Sequence, residues 1–139
     1  MPLPPSILFR SASLSLALCL GLGAAGPARA ATPADLLAGY TAESGAPAAP
    51  ERGRAFFTAR HGKEWSCSSC HGTPPTQPGK HAATGKPITA LAPAVTADRF
   101  TDAAKAEKWF RRNCNDVLGR ECSAAEKADV LAWLLSLKP

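Results

Sequence analysis

Five consecutive residues, Cys67-Ser68-Ser69-Cys70-His71, combine two thiols and an imidazole at a spacing that serves one definite chemistry. Two cysteines three residues apart can add to the vinyl groups on neighbouring pyrrole rings of a haem, and the histidine that follows can swing beneath the iron as proximal ligand. Cys67, Cys70 and His71 are therefore read as a c-type attachment site for one covalently bound haem c, with His71 on the iron. A thioredoxin-like redox pair would want a βαβ setting, and a zinc site would want further Cys or His ligands. No strand-rich segment precedes Cys67, and the next cysteines stand more than 40 residues downstream.

A haem iron held by one histidine has a second axial face, which methionine commonly fills in electron-transfer cytochromes. The single methionine of this chain is Met1, so a His/Met centre is excluded. The remaining candidates are His61, His81, Asn113, Asn115, Tyr40 and the lysines. Histidine is the stronger iron ligand, yet His61 lies six residues before Cys67 and His81 lies in a proline-rich loop, and both are expected at the surface. Asn113 stands at the expected end of a helix, directly before Cys114. On spacing alone it is either an ordinary helix C-terminal residue or a rigidly held ligand.

Cys114 and Cys122 form a second close pair. In an oxidising compartment their default fate is an intramolecular disulfide, worth roughly 2 to 3 kcal/mol through the unfolded state. A redox-active thiol pair is the alternative.

Helices must position these groups. Thr32 with Pro33 opens a short helix to about Gly39, and 41–50 reads as linker. Between Glu51 and His61, Ala55, Phe56, Phe57 and Ala59 fit one helical face. Residues 72–97 hold five prolines and read as a wrapping loop, with Ile88, Leu91, Pro93 and Val95 available to cover a haem. Thr101 caps a helix from Asp102 to Arg112 with Trp109 and Phe110 inward. Ser123-Ala124-Ala125-Glu126 is a capping box opening a last helix to about Leu137, expected to pack on an N-terminal helix.

The 139 residues allow one small domain. Residues 1–30 read as a signal peptide: an apolar run from Ser11 to Gly26 follows Arg10, and Ala28-Arg29-Ala30 has the A-x-A form of a cleavage site. The run is rich in Ala, Ser and Gly, so no stable membrane anchor is expected after cleavage, and Leu18 before Cys19 does not suit lipid modification. Residues 31–47 are read as an N-terminal helix and linker and 48–139 as the haem domain, exported to the periplasm. The exported chain carries 14 Lys plus Arg against 11 Asp plus Glu, scattered and without interleaved aromatics, so no nucleic acid partner is expected.

The segment Arg112-Asn113-Cys114-Asn115-Asp116-Val117-Leu118-Gly119-Arg120-Glu121-Cys122, with Glu126-Lys127-Ala128-Asp129 and Leu131-Ala132-Trp133, resembles the SHP (sphaeroides haem protein) cytochromes. Gly39-Tyr40, Glu51-Arg52-Gly53-Arg54, the haem motif, Leu91-Ala92-Pro93 and Asp98-Arg99-Phe100-Thr101-Asp102 extend the likeness over almost the whole exported chain. The resemblance implies an all-α, class I cytochrome c fold, a Cys114–Cys122 bridge, and Asn113 as distal ligand to the iron. It further implies that oxygen or nitric oxide binds the reduced iron, and that a multihaem or dihaem c-type cytochrome donates electrons.

An amide oxygen is a weak, hard ligand that holds ferric iron better than ferrous, so reduction is expected to release Asn113 and open the site. Electron transfer coupled to reversible ligand binding is the leading function. A simple electron shuttle with His61 or His81 as permanent sixth ligand is the second. The third is a reductase or peroxidase acting on oxygen, nitric oxide, hydroxylamine or peroxide, which would want a distal acid or base that Arg112, Asn113 and Asn115 do not supply.

Overall fold

A computed structural model describes residues 31–139; the expected signal peptide, Cys19 included, lies outside the described residues. Five helices and one two-residue-wide hairpin make up the fold: α1 Pro33–Ser44, α2 Pro50–Thr58, α3 Cys67–His71, β1 Gly79–Lys80, β2 Pro87–Ile88, α4 Ala103–Leu118 and α5 Ala124–Ser136. None of these helices is long and apolar enough to cross a membrane.

Local chemistry explains where the helices begin. Thr32 Oγ1 accepts the Asp35 N–H while the Asp35 carboxylate accepts the Thr32 N–H, and Pro33 takes the first helical position. Ser123 and Glu126 repeat this reciprocal cap at α5, as the sequence predicts. At α4 the cap is Asp102, whose carboxylate accepts the Lys105 N–H at 2.9 Å, in place of the expected Thr101.

Two helices run further than expected. α1 continues through Gly39 and stops at Gly45, which takes the left-handed conformation at φ 67°. α4 does not end at Arg112 but runs six residues more, to Leu118, and is capped by Gly119 at φ 74°, whose N–H bonds to the Asn115 carbonyl. Asn113 and Cys114 therefore sit inside a helix. A left-handed glycine just past the last turn is the physical stop in both cases.

The core forms where α1 and α2 pack on α5. A Cβ built on Gly53 would collide with the backbone carbonyl of Asp129, so α2 and α5 cross backbone against backbone. One turn on, Phe57 is 2% exposed and packs with Val130, Trp133 and Leu134. Burying a side chain of this size contributes about 1.5–3 kcal/mol. Tyr40, Ala128 and Leu131 form a second cluster, and Phe100 and Phe110 touch both. At the crossing the Asp129 carboxylate, 7% exposed, accepts the Ala49 N–H at 2.6 Å and two hydrogen bonds from Arg52 at 2.8 Å, so the buried charge is fully paired. Ala55 and Ala59, expected on the inner face of α2, are exposed, because Gly53 and Phe57 define the face that meets α5.

The segment 72–97 is mostly loop, but β1 and β2 pair antiparallel within it, Gly79 opposite Ile88. A Cβ on Gly79 would strike the Cys70 carbonyl, so this hairpin lies directly on the Cys67–His71 turn.

Candidate haem site

The turn of α3 is locked by hydroxyls. Buried Ser66 donates its N–H to Ser69 Oγ at 3.0 Å, and its own hydroxyl lies 2.8 Å from Ser68 Oγ. This holds Cys67 and Cys70, both free thiols and both half-buried, on one helical turn. Burial pushes the Cys67 thiol up to about 11, with Cys70 adding to the shift, and a thiol in that range is no redox-poised thiolate. Burial also pushes His71 down to about 4, and the nearby Arg99 charge adds to it. His71 is therefore neutral at pH 7, with Nδ1 buried and unpartnered. A neutral imidazole is the form that binds a metal.

These groups face a cavity of two adjoining lobes, about 330 and 380 Å³. Cys67 and Cys70 line the first lobe with Phe57, Val130 and Leu134, while His71 and Asn113 line both. Two free thiols, a neutral imidazole with an orphaned ring nitrogen and apolar walls are the donor set and surroundings a covalent haem requires, so the residues fit the group. No group of three or more His, Cys, Asp or Glu among the described residues is gathered as an ion site.

The remaining axial candidates separate. His61 turns away: its Nε2 lies 2.8 Å from the Phe56 carbonyl and its ring stacks on Phe56 at 4.4 Å. Tyr40 is buried in the core, where burial and Glu107 hold its phenol far above the ordinary range. Asn115 is exposed and donates to the Arg111 carbonyl. His81, expected at the surface, is half-buried and lines both lobes, because the β1–β2 hairpin folds back over the Cys67–His71 turn. Cys114 and Cys122 are bridged, with Cα atoms 5.6 Å apart.

Trp109, Arg112 and Asp116 also line both lobes, and of the three the sequence places only Arg112 on the distal side. Their signal is the spacing 109, 112, 113, 116, one face of a helix that had to be read past Arg112 to be seen. Trp109 is 44% exposed, so it is a wall of the cavity, not part of the packed core that holds Phe110. The Arg112 guanidinium lies 5.6 Å from the Trp109 ring centre. Of the loop residues expected to cover a haem, Ile88 and Leu91 line the cavity and Val95 points to solvent.

A helical fold closed over a C-x-x-C-H turn and an apolar cavity defines a small class I cytochrome with one covalently bound haem c. A family model described as a domain of unknown function (DUF1924) matches residues 43–134. The chain belongs to the SHP family: it is 54% identical over 123 residues to cytochrome c-type protein SHP of Cereibacter sphaeroides, covering 84% of this chain and 95% of that one. The structure of oxidised SHP, described as an oxygen-binding cytochrome c, matches with a TM-score of 0.73 at 53% identity, over 77% of this chain and 98% of that chain. Oxidised cytochrome c'' from Methylophilus methylotrophus matches at 0.67 and 39% identity over 77% and 95%. The solution structure of cytochrome c'' from the same organism, presented in terms of haem-ligand detachment, matches at 0.68 and 37% over 77% and 94%.

Proposed function

We propose that this cytochrome couples electron transfer to reversible binding of a small diatomic ligand, oxygen or nitric oxide, at an iron whose distal ligand is Asn113. Cys67 and Cys70 form the thioethers and His71 is the proximal ligand. The haem supplies the one-electron and ligand-binding chemistry. The observation that carries the reading is Asn113 itself, which lines both lobes while its side chain makes no hydrogen bond to the described residues. Cys114, the next residue, is tied to Cys122, so the backbone that carries the carboxamide is tethered.

The amide oxygen is a hard, weak donor suited to ferric iron and poorly suited to ferrous. Asn113 therefore lets go on reduction, and its NH2 group is then free to donate a hydrogen bond to a diatomic in the cavity. The relatives support this reading: SHP is described as oxygen-binding, and cytochrome c'' is discussed for ligand detachment. The chain works in the periplasm, with a dihaem or multihaem c-type cytochrome as electron donor.

The test is the absorption spectrum of an Asn113→Ala holoprotein. The ferric spectrum moves toward high spin, and reduction no longer releases a protein ligand from the iron. A variant whose ferric spectrum and ferrous ligand release both match wild type overturns the proposal.

One observation favours a second reading, the electron shuttle. His81 reaches the cavity wall, with its Nδ1 accepting the Thr84 N–H at 3.2 Å and its Nε2 making no hydrogen bond to the described residues. A low-spin spectrum in both oxidation states, lost only in His81→Ala, would carry that reading instead.

A further inference from the structure

Among the described residues the large apolar side chains left exposed are Val95 and Trp109. Val95 lies in a turn and lines neither lobe of the cavity, whereas Trp109 lines both. Large aromatic rings ordinarily bury against one another, and the neighbouring Phe110 does so with Tyr40 and Phe100. The Trp109 indole takes part in no aromatic pair and no hydrogen bond with the described residues. Its ring contact is with the Arg112 guanidinium.

Helix geometry sets this ring beside the proposed distal ligand. Positions 109 and 113 stand one turn apart on the face of α4 that borders the cavity, and helical side chains lean toward the N-terminus. The Asn113 side chain therefore leans over the turn that carries Trp109. Asn113 is half-buried, while the indole is partly in the cavity wall and partly in solvent, so an approach to Asn113 along this turn passes the ring. The next turn presents Asp116, an exposed carboxylate on the other side of Asn113.

We infer that Trp109, steadied by Arg112, is the gate of the distal site and the residue that sets the largest ligand able to reach the iron. It passes diatomics and obstructs ligands that carry an organic tail. The inference rests on the reading that Asn113 is the distal ligand.

Size and stiffness give the gate its selectivity. An indole is broad and turns about two torsions only, and a guanidinium over its face adds the attraction of an exposed cation–π contact. A two-atom ligand slips beside the ring without moving it. A ligand with a butyl tail has to push it aside and break that contact.

The test compares two probes on the ferrous holoprotein, carbon monoxide and n-butyl isocyanide. Both bind iron through a terminal carbon, and they differ in the tail behind it. The quantity read is the association rate of n-butyl isocyanide divided by that of carbon monoxide. Trp109→Ala raises this ratio at least about tenfold, the low end of what a shaped apolar site discriminates per methylene. Arg112→Gln removes the cation from an exposed position and raises it about two- to fivefold, the scale of an exposed cation–π contact.

A Trp109→Ala ratio equal to wild type overturns the inference. So does a rise of both rates by the same factor, because a general loosening of α4 does not sort ligands by size. A ratio that rises in Asp116→Ala and not in Trp109→Ala also overturns it, by putting the entrance on the other side of Asn113. An Arg112→Gln ratio equal to wild type overturns the part given to Arg112. If Trp109→Ala yields no holoprotein, Trp109→Phe, with its smaller ring, must raise the ratio, and an unmoved ratio overturns the inference. The reading of Asn113 fails separately, in the ferric spectrum of Asn113→Ala, which does not depend on ligand size.

Discussion

The ring of Phe57 lies 6.2 Å, centroid to centroid, from the imidazole of His71 and 5.0 Å from the indole of Trp133. One side chain of α2 thus joins the helix crossing to the residue proposed to hold the iron. Phe57→Ala removes that shared wall and is expected to destabilise the holoprotein by about 3–5 kcal/mol. Phe57→Leu should retain most of the stability. Denaturant titration followed at the haem band and by far-ultraviolet circular dichroism checks both, and the two probes should lose stability together.

Gly53 and Asp129 make a sharper demand, because the carbonyl occupies the place of a Cβ. Gly53→Ala adds only one methyl group and improves helix propensity, yet it should cost about 1–3 kcal/mol by forcing α2 and α5 apart. A thermal midpoint equal to or above wild type would contradict the close crossing.

The bridge between Cys114 and Cys122 spans a separation of eight residues. Replacing both with serine should lower stability by about 2–3 kcal/mol, measured by chemical denaturation of the holoprotein. Adding a thiol reductant to wild type already held fully ferrous should have the same effect, and adding it to the fully ferrous double variant none.

Arg120 donates two hydrogen bonds to the Glu126 carboxylate, at 2.8 and 2.6 Å. They hold Glu126 below the ordinary glutamate range, more strongly than its partial burial raises it. Its pKa is therefore lower folded than unfolded, and the unfolded chain binds more protons in acid. The stabilisation is present above the unfolded value and is lost as pH falls through the folded one. Glu126→Gln should melt below wild type at pH 7, and the gap should close in acid, below about pH 4.

His61 is engaged with Phe56, so His61→Ala should leave both the ferric and the ferrous spectra unchanged. His81→Ala should do the same if Asn113 is the distal ligand. Carbon monoxide binding to the ferrous form, measured on both variants, checks the pair.

Much of this arrangement was legible in residue order. The C-x-x-C-H run and the Ser123 capping box act over a few residues, so local chemistry alone specifies the Cys67–His71 turn and the start of α5. Helix stops were harder to read. Gly39 has open space around it and is carried within α1, while Gly45 takes the left-handed turn, and Pro47 two residues beyond it is the local mark of the true stop. The expected end of α4 at Arg112 comes too early because basic residues there, followed by Asn113, mimic a helix C-terminus, although Gly119 carries the true stop signal.

His81 illustrates a different limit. It is ten residues beyond His71, within a stretch whose prolines argue against regular structure, and only the pairing of Gly79 with Ile88 returns it to the cavity. That pairing depends on Gly79 fitting against the Cys70 carbonyl, a contact that no pattern of apolar residues encodes.

The continuation of α4 through Asn113 to Gly119 limits how that carboxamide can move. Its backbone is hydrogen-bonded on either side and stitched to Cys122 at the adjoining position, so local unravelling is an expensive route. Two torsions of a short side chain remain, and rotations of that kind occur in picoseconds to nanoseconds. The distal ligand proposed at Asn113 would then be a latch with a small throw that resets without refolding, leaving delivery of the electron, and not the protein's own rearrangement, to set the tempo of each cycle.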